Sequence, residues 1–77
     1  MNVDHLVTMA NQIADFFISE AGEDAAPKEI AGHITKFWAP RMRAQFMDYV
    51  AKSGAGLRPP AVRAAALLGP VQQTAKS

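Results

Sequence analysis

Residues 37–43 read Phe37-Trp38-Ala39-Pro40-Arg41-Met42-Arg43. This stretch holds the only Trp of the chain, a helix-breaking Pro and two Arg. Pro40 has no backbone N–H to give, and its ring biases Ala39 away from helical angles. Apolar residues at helical spacing run up to the stretch and away from it. The reading is therefore a tight corner between two helices. Phe37 and Trp38 are expected to be buried at the joint, with Arg41 and Arg43 opening the next helix.

Upstream of the corner, Ile30, Ile34, Phe37 and Trp38 fall at i, i+4, i+7 and i+8, one face of a helix. Pro27 suits the first turn of that helix, where its missing N–H costs nothing. Glu29 in the same turn favours the helix dipole. His33 sits beside the apolar stripe, one turn before Phe37. A metal role for it has little support, since His5 is the only other imidazole and there is no Cys; a packed or rim position is expected. Further upstream, Leu6, Met9, Ala10, Ile13, Phe16 and Phe17 predict a helix from about Asp4 to Ser19, capped by Asn2 or Asp4. Phe16 and Phe17 are read as core. Glu20–Ala26 is then an acidic loop.

Downstream, a third helix is expected from Pro40 to about Lys52. Met42, Phe46, Tyr49 and Val50 form its apolar face, and Arg41, Arg43, Asp48 and Lys52 point largely outward. Gly54 and Gly56 stop it, and Leu57 tucks back onto the core. Pro59-Pro60 introduces a short helix over Ala61–Leu68, whose Ala-rich surface permits close backbone approach. Gly69-Pro70 ends it. The expected fold is all-α: three main helices and a short C-terminal one in a single domain over 1–69, with a flexible tail over 70–77.

Seventy-seven residues allow one domain. About half are apolar, 49%, but many of these are Ala, so the core is small. With no Cys, neither a disulfide nor a thiolate metal site can reinforce it. An isolated chain of this kind is expected to be marginal, aggregating or oligomeric, and to gain stability from a partner. No run approaches the roughly 18 consecutive apolar residues of a membrane span. The start lacks the pattern of a signal peptide, so a cytoplasmic location is expected. The net charge of +1 hides an asymmetry. Residues 1–29 carry six acids and one base, Lys28, whereas residues 30–77 carry seven bases and one acid, Asp48. Such a split marks either an oriented interface or two solvated surfaces that attract each other.

No Gly-rich phosphate loop, paired catalytic acids or Ser/His/Asp arrangement is present, which leaves an enzymatic reading without support. The basic C-terminal part and the short turn before Pro40 offer an alternative, a small nucleic-acid binder with a helix-turn-helix-like corner. Against it, the third helix spends many positions on Met, Phe, Tyr and Val, and +1 is far from the usual basic footprint.

Three blocks carry a resemblance: 9–17 (Met-Ala-Asn-Gln-Ile-Ala-Asp-Phe-Phe), 30–34 (Ile-Ala-Gly-His-Ile) and 37–43, followed by Gly56-Leu57 and Pro59. In this order and spacing, over roughly residues 6–68, they resemble the delta subunit of NAD-dependent formate dehydrogenase. The resemblance implies a soluble molybdenum or tungsten enzyme that oxidises formate to carbon dioxide and reduces NAD. In that family alpha carries molybdopterin and iron–sulfur clusters, beta carries flavin (FMN) and the NAD site, and gamma a further iron–sulfur centre. Delta binds no known cofactor and is linked to assembly or stability of the complex. The implied partner is the alpha subunit, with beta and gamma in the same complex. Trp38, Arg41, Met42 and Arg43 are the partner-binding candidates, Trp and Arg being types enriched at binding hot spots. One departure is Ala39, where the family often has Asp, a better helix cap.

Overall fold

A computed structural model describes residues 3–68. Those residues form four helices, α1 (Val3–Ala21), α2 (Ala26–Phe37), α3 (Pro40–Lys52) and α4 (Pro59–Leu68), with no strand among them. The tail expected over 70–77 and the candidate cap Asn2 lie outside the described residues. Asp4 sits within the first turn of α1, where a carboxylate favours the dipole.

α1 buries Leu6, Ala10 and Ala14, spaced by four, while Met9, Ile13, Phe17 and Ile18 pack partly against the core. Phe16 corrects the sequence reading, for its side chain is 58% exposed. At 3.6 residues per turn it lies roughly 120° round the helix from Ala10, beyond the edge of the buried stripe. α2 buries Ala26, Pro27, Ile30, Ala31 and Ile34, so Pro27 serves as a first-turn residue and as core. α4 begins two residues earlier than expected, at Pro59, and buries Pro60, Ala61, Ala64 and Ala65. Its contact with α2 is the most extensive in the fold. Methyl-sized side chains on that face let the two backbones come close, as the Ala-rich sequence implies.

The link between α3 and α4 is held from a distance. Gly54 (φ +69°) and Gly56 (φ +83°) take left-handed angles that other residues rarely adopt. Gly54 N–H donates to Tyr49 O at 3.0 Å, closing α3, and the Tyr49 hydroxyl donates to Ala55 O at 2.6 Å. Asn11, from α1, then grips both sides of Leu57. Its Nδ2 donates to Gly56 O at 2.8 Å, and its Oδ1 accepts from Arg58 N–H at 2.8 Å. Leu57 packs partly against the core as expected. Because Asn11 supplies a donor and an acceptor to chain some 45 residues away, Asn11→Ala should lose about 1–3 kcal/mol, the net of two hydrogen bonds. Urea denaturation checks this; a midpoint equal to that of the parent chain would show that the link holds itself.

One strand of the charge asymmetry closes on itself at the same place. Arg58 Nε lies 2.8 Å from Asp15 Oδ1 and Arg58 Nη2 3.3 Å from Asp15 Oδ2. The hydrogen bond and the charge of Arg58 hold the Asp15 carboxyl below its ordinary pKa. The pair therefore favours the fold above the unfolded carboxylate's pKa, and loses that effect as pH falls through the folded value. Being exposed, it is a small contributor.

Candidate functional site: the Pro40 corner and the aromatic face

At the corner, α2 stops at Phe37 and α3 starts at Pro40. Trp38 N–H still donates to Ile34 O at 2.9 Å, while its ψ of 137° turns the chain out of the helix. Ala39 is extended (φ −62°, ψ 151°) and supplies no side-chain cap to α3. The indole of Trp38 is 5% exposed and meets the Phe46 ring edge-on, with centroids 5.6 Å apart. Phe46 is 1% exposed. This edge-to-face pair ties the end of α2 to the middle of α3.

The two residues preceding the corner's extended link part company. Trp38 turns inward as expected, but Phe37 is 71% exposed, against the expectation of burial. With Trp38 filling the space over Phe46, the helix end offers no second inward site, and the neighbouring ring is left on the outer surface.

Arg43 is the other correction. It was expected to point outward, yet its Nη1 donates to Trp38 O at 3.0 Å and to Thr35 O at 3.4 Å. The Thr35 carbonyl lies in the last turn of α2 and the Trp38 carbonyl just beyond it, where orphan acceptors and the negative end of the dipole favour a cation. Arg43 thus clamps the corner from α3. Arg41 is exposed and Met42 is half-buried against the core. Of the four candidates, Trp38 and Arg43 set the shape of the corner, while Arg41 and part of Met42 form its accessible surface. Lys52, further along α3, pairs with Asp48 at 3.1 Å. These commitments leave little of α3 for reading base edges, and nothing observed favours the nucleic-acid alternative.

The two exposed rings lie together with two half-buried ones. Phe16, Phe17, His33 and Phe37 form a continuous row across α1 and α2. Successive ring centroids are 5.0, 6.1 and 4.8 Å apart. His33 is half-buried between Phe17 and Phe37, which is the packed rim position expected of it. Two adjoining hollows share Phe17 and His33. One, about 230 Å³, reaches Gln12 and Ile13 on α1. The other, about 210 Å³, runs along α2 past Glu29, Gly32 and Lys36.

Gly32 is unusual there. It sits inside α2 without a left-handed φ, and a Cβ built on it would meet nothing within 4 Å. Glycine inside a helix costs about 0.5–1 kcal/mol relative to alanine, and neither backbone angle nor internal packing requires it here. The sequence held one signal for this face: Gly32 interrupts a helical run with no turn to require it.

Chemically, this surface is an aromatic row with Gln12, Glu29 and Lys36 at its edges. Among the described residues, no three His, Cys, Asp or Glu side chains gather as a metal cage, and the Cys-free chain has no thiolates to ligate an iron–sulfur cluster. No described helix is long and apolar enough to cross a membrane.

Neither a curated protein nor a solved structure shows a significant match to the chain. Residues 5–66 do match a protein family, described as "NADH-dependant formate dehydrogenase delta subunit FdsD". The match spans well over half of the 77 residues and takes in α1, the aromatic face, the corner and most of α4. The three sequence blocks, the last of them the Pro40 corner, and the match over 5–66 agree, and the chain belongs to the family of formate dehydrogenase delta subunits, accessory subunits of that enzyme complex.

Proposed function

We propose that this chain is a non-catalytic accessory subunit of a soluble, cytoplasmic NAD-dependent formate dehydrogenase. It docks on the molybdopterin-containing alpha subunit and supports that subunit's assembly or stability. The observation that carries the reading is the family match over residues 5–66. The cofactors of the complex, molybdopterin, iron–sulfur clusters and FMN, belong to its other subunits, and this chain contributes a shaped surface.

The docking region is the corner. Trp38 and Arg43 act from within, fixing the angle between α2 and α3. Arg41 and Met42 meet the partner. This division of labour suits binding, because a surface already held in shape loses little freedom when it docks. Arg41 stands at the start of α3 with no side-chain partner among the described residues, and a guanidinium matches a carboxylate in two-point geometry.

Arg41→Ala is therefore expected to weaken association with the alpha subunit by about 2 kcal/mol, roughly thirtyfold, with helix content unchanged. Arg43→Ala should weaken association and lower the melting temperature together, since it also releases the end of α2. Titration of each variant against purified alpha subunit, with circular dichroism alongside, checks both. Unchanged affinity for both variants would remove the corner from the interface.

A further inference from the structure

Beyond the docking on alpha, and independent of it, we infer that two copies of this chain associate through α2, antiparallel about a two-fold axis that passes between Gly32 and His33. The outer face of α2 carries Glu29, Gly32, His33, Lys36 and Phe37 in one stripe. Glu29 and Lys36 are exposed and line the same hollow. Within the described residues neither side chain has an ion-pair partner; the two pairs present are Asp48–Lys52 and Asp15–Arg58. One lies three residues before Gly32, and the other lies three residues after His33.

That spacing is self-complementary. When two such helices run antiparallel about the point between residues 32 and 33, Glu29 of each copy faces Lys36 of the other. Gly32 of each faces His33 of the other. The open space where a Cβ at Gly32 would stand receives the opposing imidazole, so the helices approach closely at their crossing. A two-fold contact uses one patch twice, and every favourable pair occurs in duplicate. Phe37 and Phe16, 71% and 58% exposed, flank the crossing and lose water when it forms. The opposite charges fix direction and register: a parallel pairing would set Glu29 on Glu29 and Lys36 on Lys36.

The register is tested with charge reversal in the full 77-residue chain. Sedimentation velocity across a dilution series from millimolar to low micromolar should show the parent chain passing from dimer to monomer. Glu29→Lys alone makes every facing pair Lys–Lys, and Lys36→Glu alone makes every pair Glu–Glu. Each should weaken self-association about tenfold or more. Mixing the two variants in equal amounts restores opposite charges at both positions, and a hetero-dimer should form within about threefold of the parent affinity.

Gly32→Ala is the second arm. It should melt at or above the parent temperature, because alanine is the better helix residue, and yet dimerise more weakly. A mixture as weak as its components would overturn the proposal, as would an alanine variant that dimerises like the parent. A parent chain that stays monomeric at millimolar concentration would overturn it too, and protection of Phe37 only on adding alpha subunit would give the face to that subunit instead.

Discussion

Trp38→Ala is expected to cost about 3–5 kcal/mol and to leave the isolated chain largely unfolded in dilute buffer. The indole is 5% exposed and belongs to a core whose other large members are few: Leu6, Ile30, Ile34 and Phe46. Much of the rest is alanine, from Ala10 and Ala14 on α1 to Ala61 and Ala64 on α4. Such a core cannot collapse to refill a hole the size of an indole, because the surrounding methyl groups have no reach. The loss is also strategic. α2 and α3 each pack on α1 and on α4, and the Trp38–Phe46 ring pair is a direct tie across their corner. Without it, the clamp from Arg43 to the Trp38 and Thr35 carbonyls would have to hold the angle alone. Trp38→Phe keeps an aromatic edge for Phe46 and should recover part of the loss. Chemical denaturation of the two variants checks the order. A Trp38→Ala chain as stable as the parent would mean that the corner is held elsewhere.

Much of the fold was legible because a few residues act locally and strongly. Pro27 and Pro40 mark helix starts by lacking an N–H, and Gly54 with Gly56 marks the end of α3 by taking angles that other residues avoid. The inner stripe was legible at Leu6, Ile30, Ile34, Trp38 and Phe46, where helical spacing and burial agree. The outward Phe16 and Phe37 were not. Periodicity gives an angle around a helix axis, whereas burial also needs a neighbour covering that angle. α1 and α2 together leave a strip uncovered, and both rings stand in it. Arg43 was misread for a related reason. A charge is assigned to solvent by default, but the last turn of α2 ends in carbonyls that need donors, and only the three-dimensional turn at Pro40 brings Arg43 under them. Ala39 was read correctly as a poor cap, since a missing side-chain oxygen is visible in the sequence itself.

The candidate site divides in the same way. The corner was identified from residue types, and its four members are neighbours in sequence, so no fold was needed to group them. Their roles required the fold: only then do Trp38 and Arg43 separate, as shaping residues, from Arg41 and Met42 at the surface. The aromatic face draws on α1 and α2 together, and within one helix only Gly32 hints at it.

The second large effect lies in the enzyme complex. Deleting this chain is expected to lower the yield of active, cofactor-loaded formate dehydrogenase several-fold, while the enzyme that does form keeps its chemistry. A subunit that supplies no reacting group does not lower a chemical barrier. It can raise the population of a competent partner, because binding the folded form alone stabilises it by RT ln(1 + [L]/Kd), about 2.7 kcal/mol when the free subunit stands at 100 times its Kd. Stabilisation of that size is enough to change the abundance of a marginal protein several-fold. The corner variant Arg41→Ala should reproduce part of the loss, and supplying the chain separately should restore it.

The decisive measurement is the molybdenum or tungsten content and the formate-to-NAD activity of the complex purified with and without this chain, each normalised to alpha subunit. The expected result is less metal-loaded complex without the chain, with kcat per loaded enzyme and KM for formate unchanged. Equal yield, equal metal content and equal operational lifetime in its absence would contradict an accessory role.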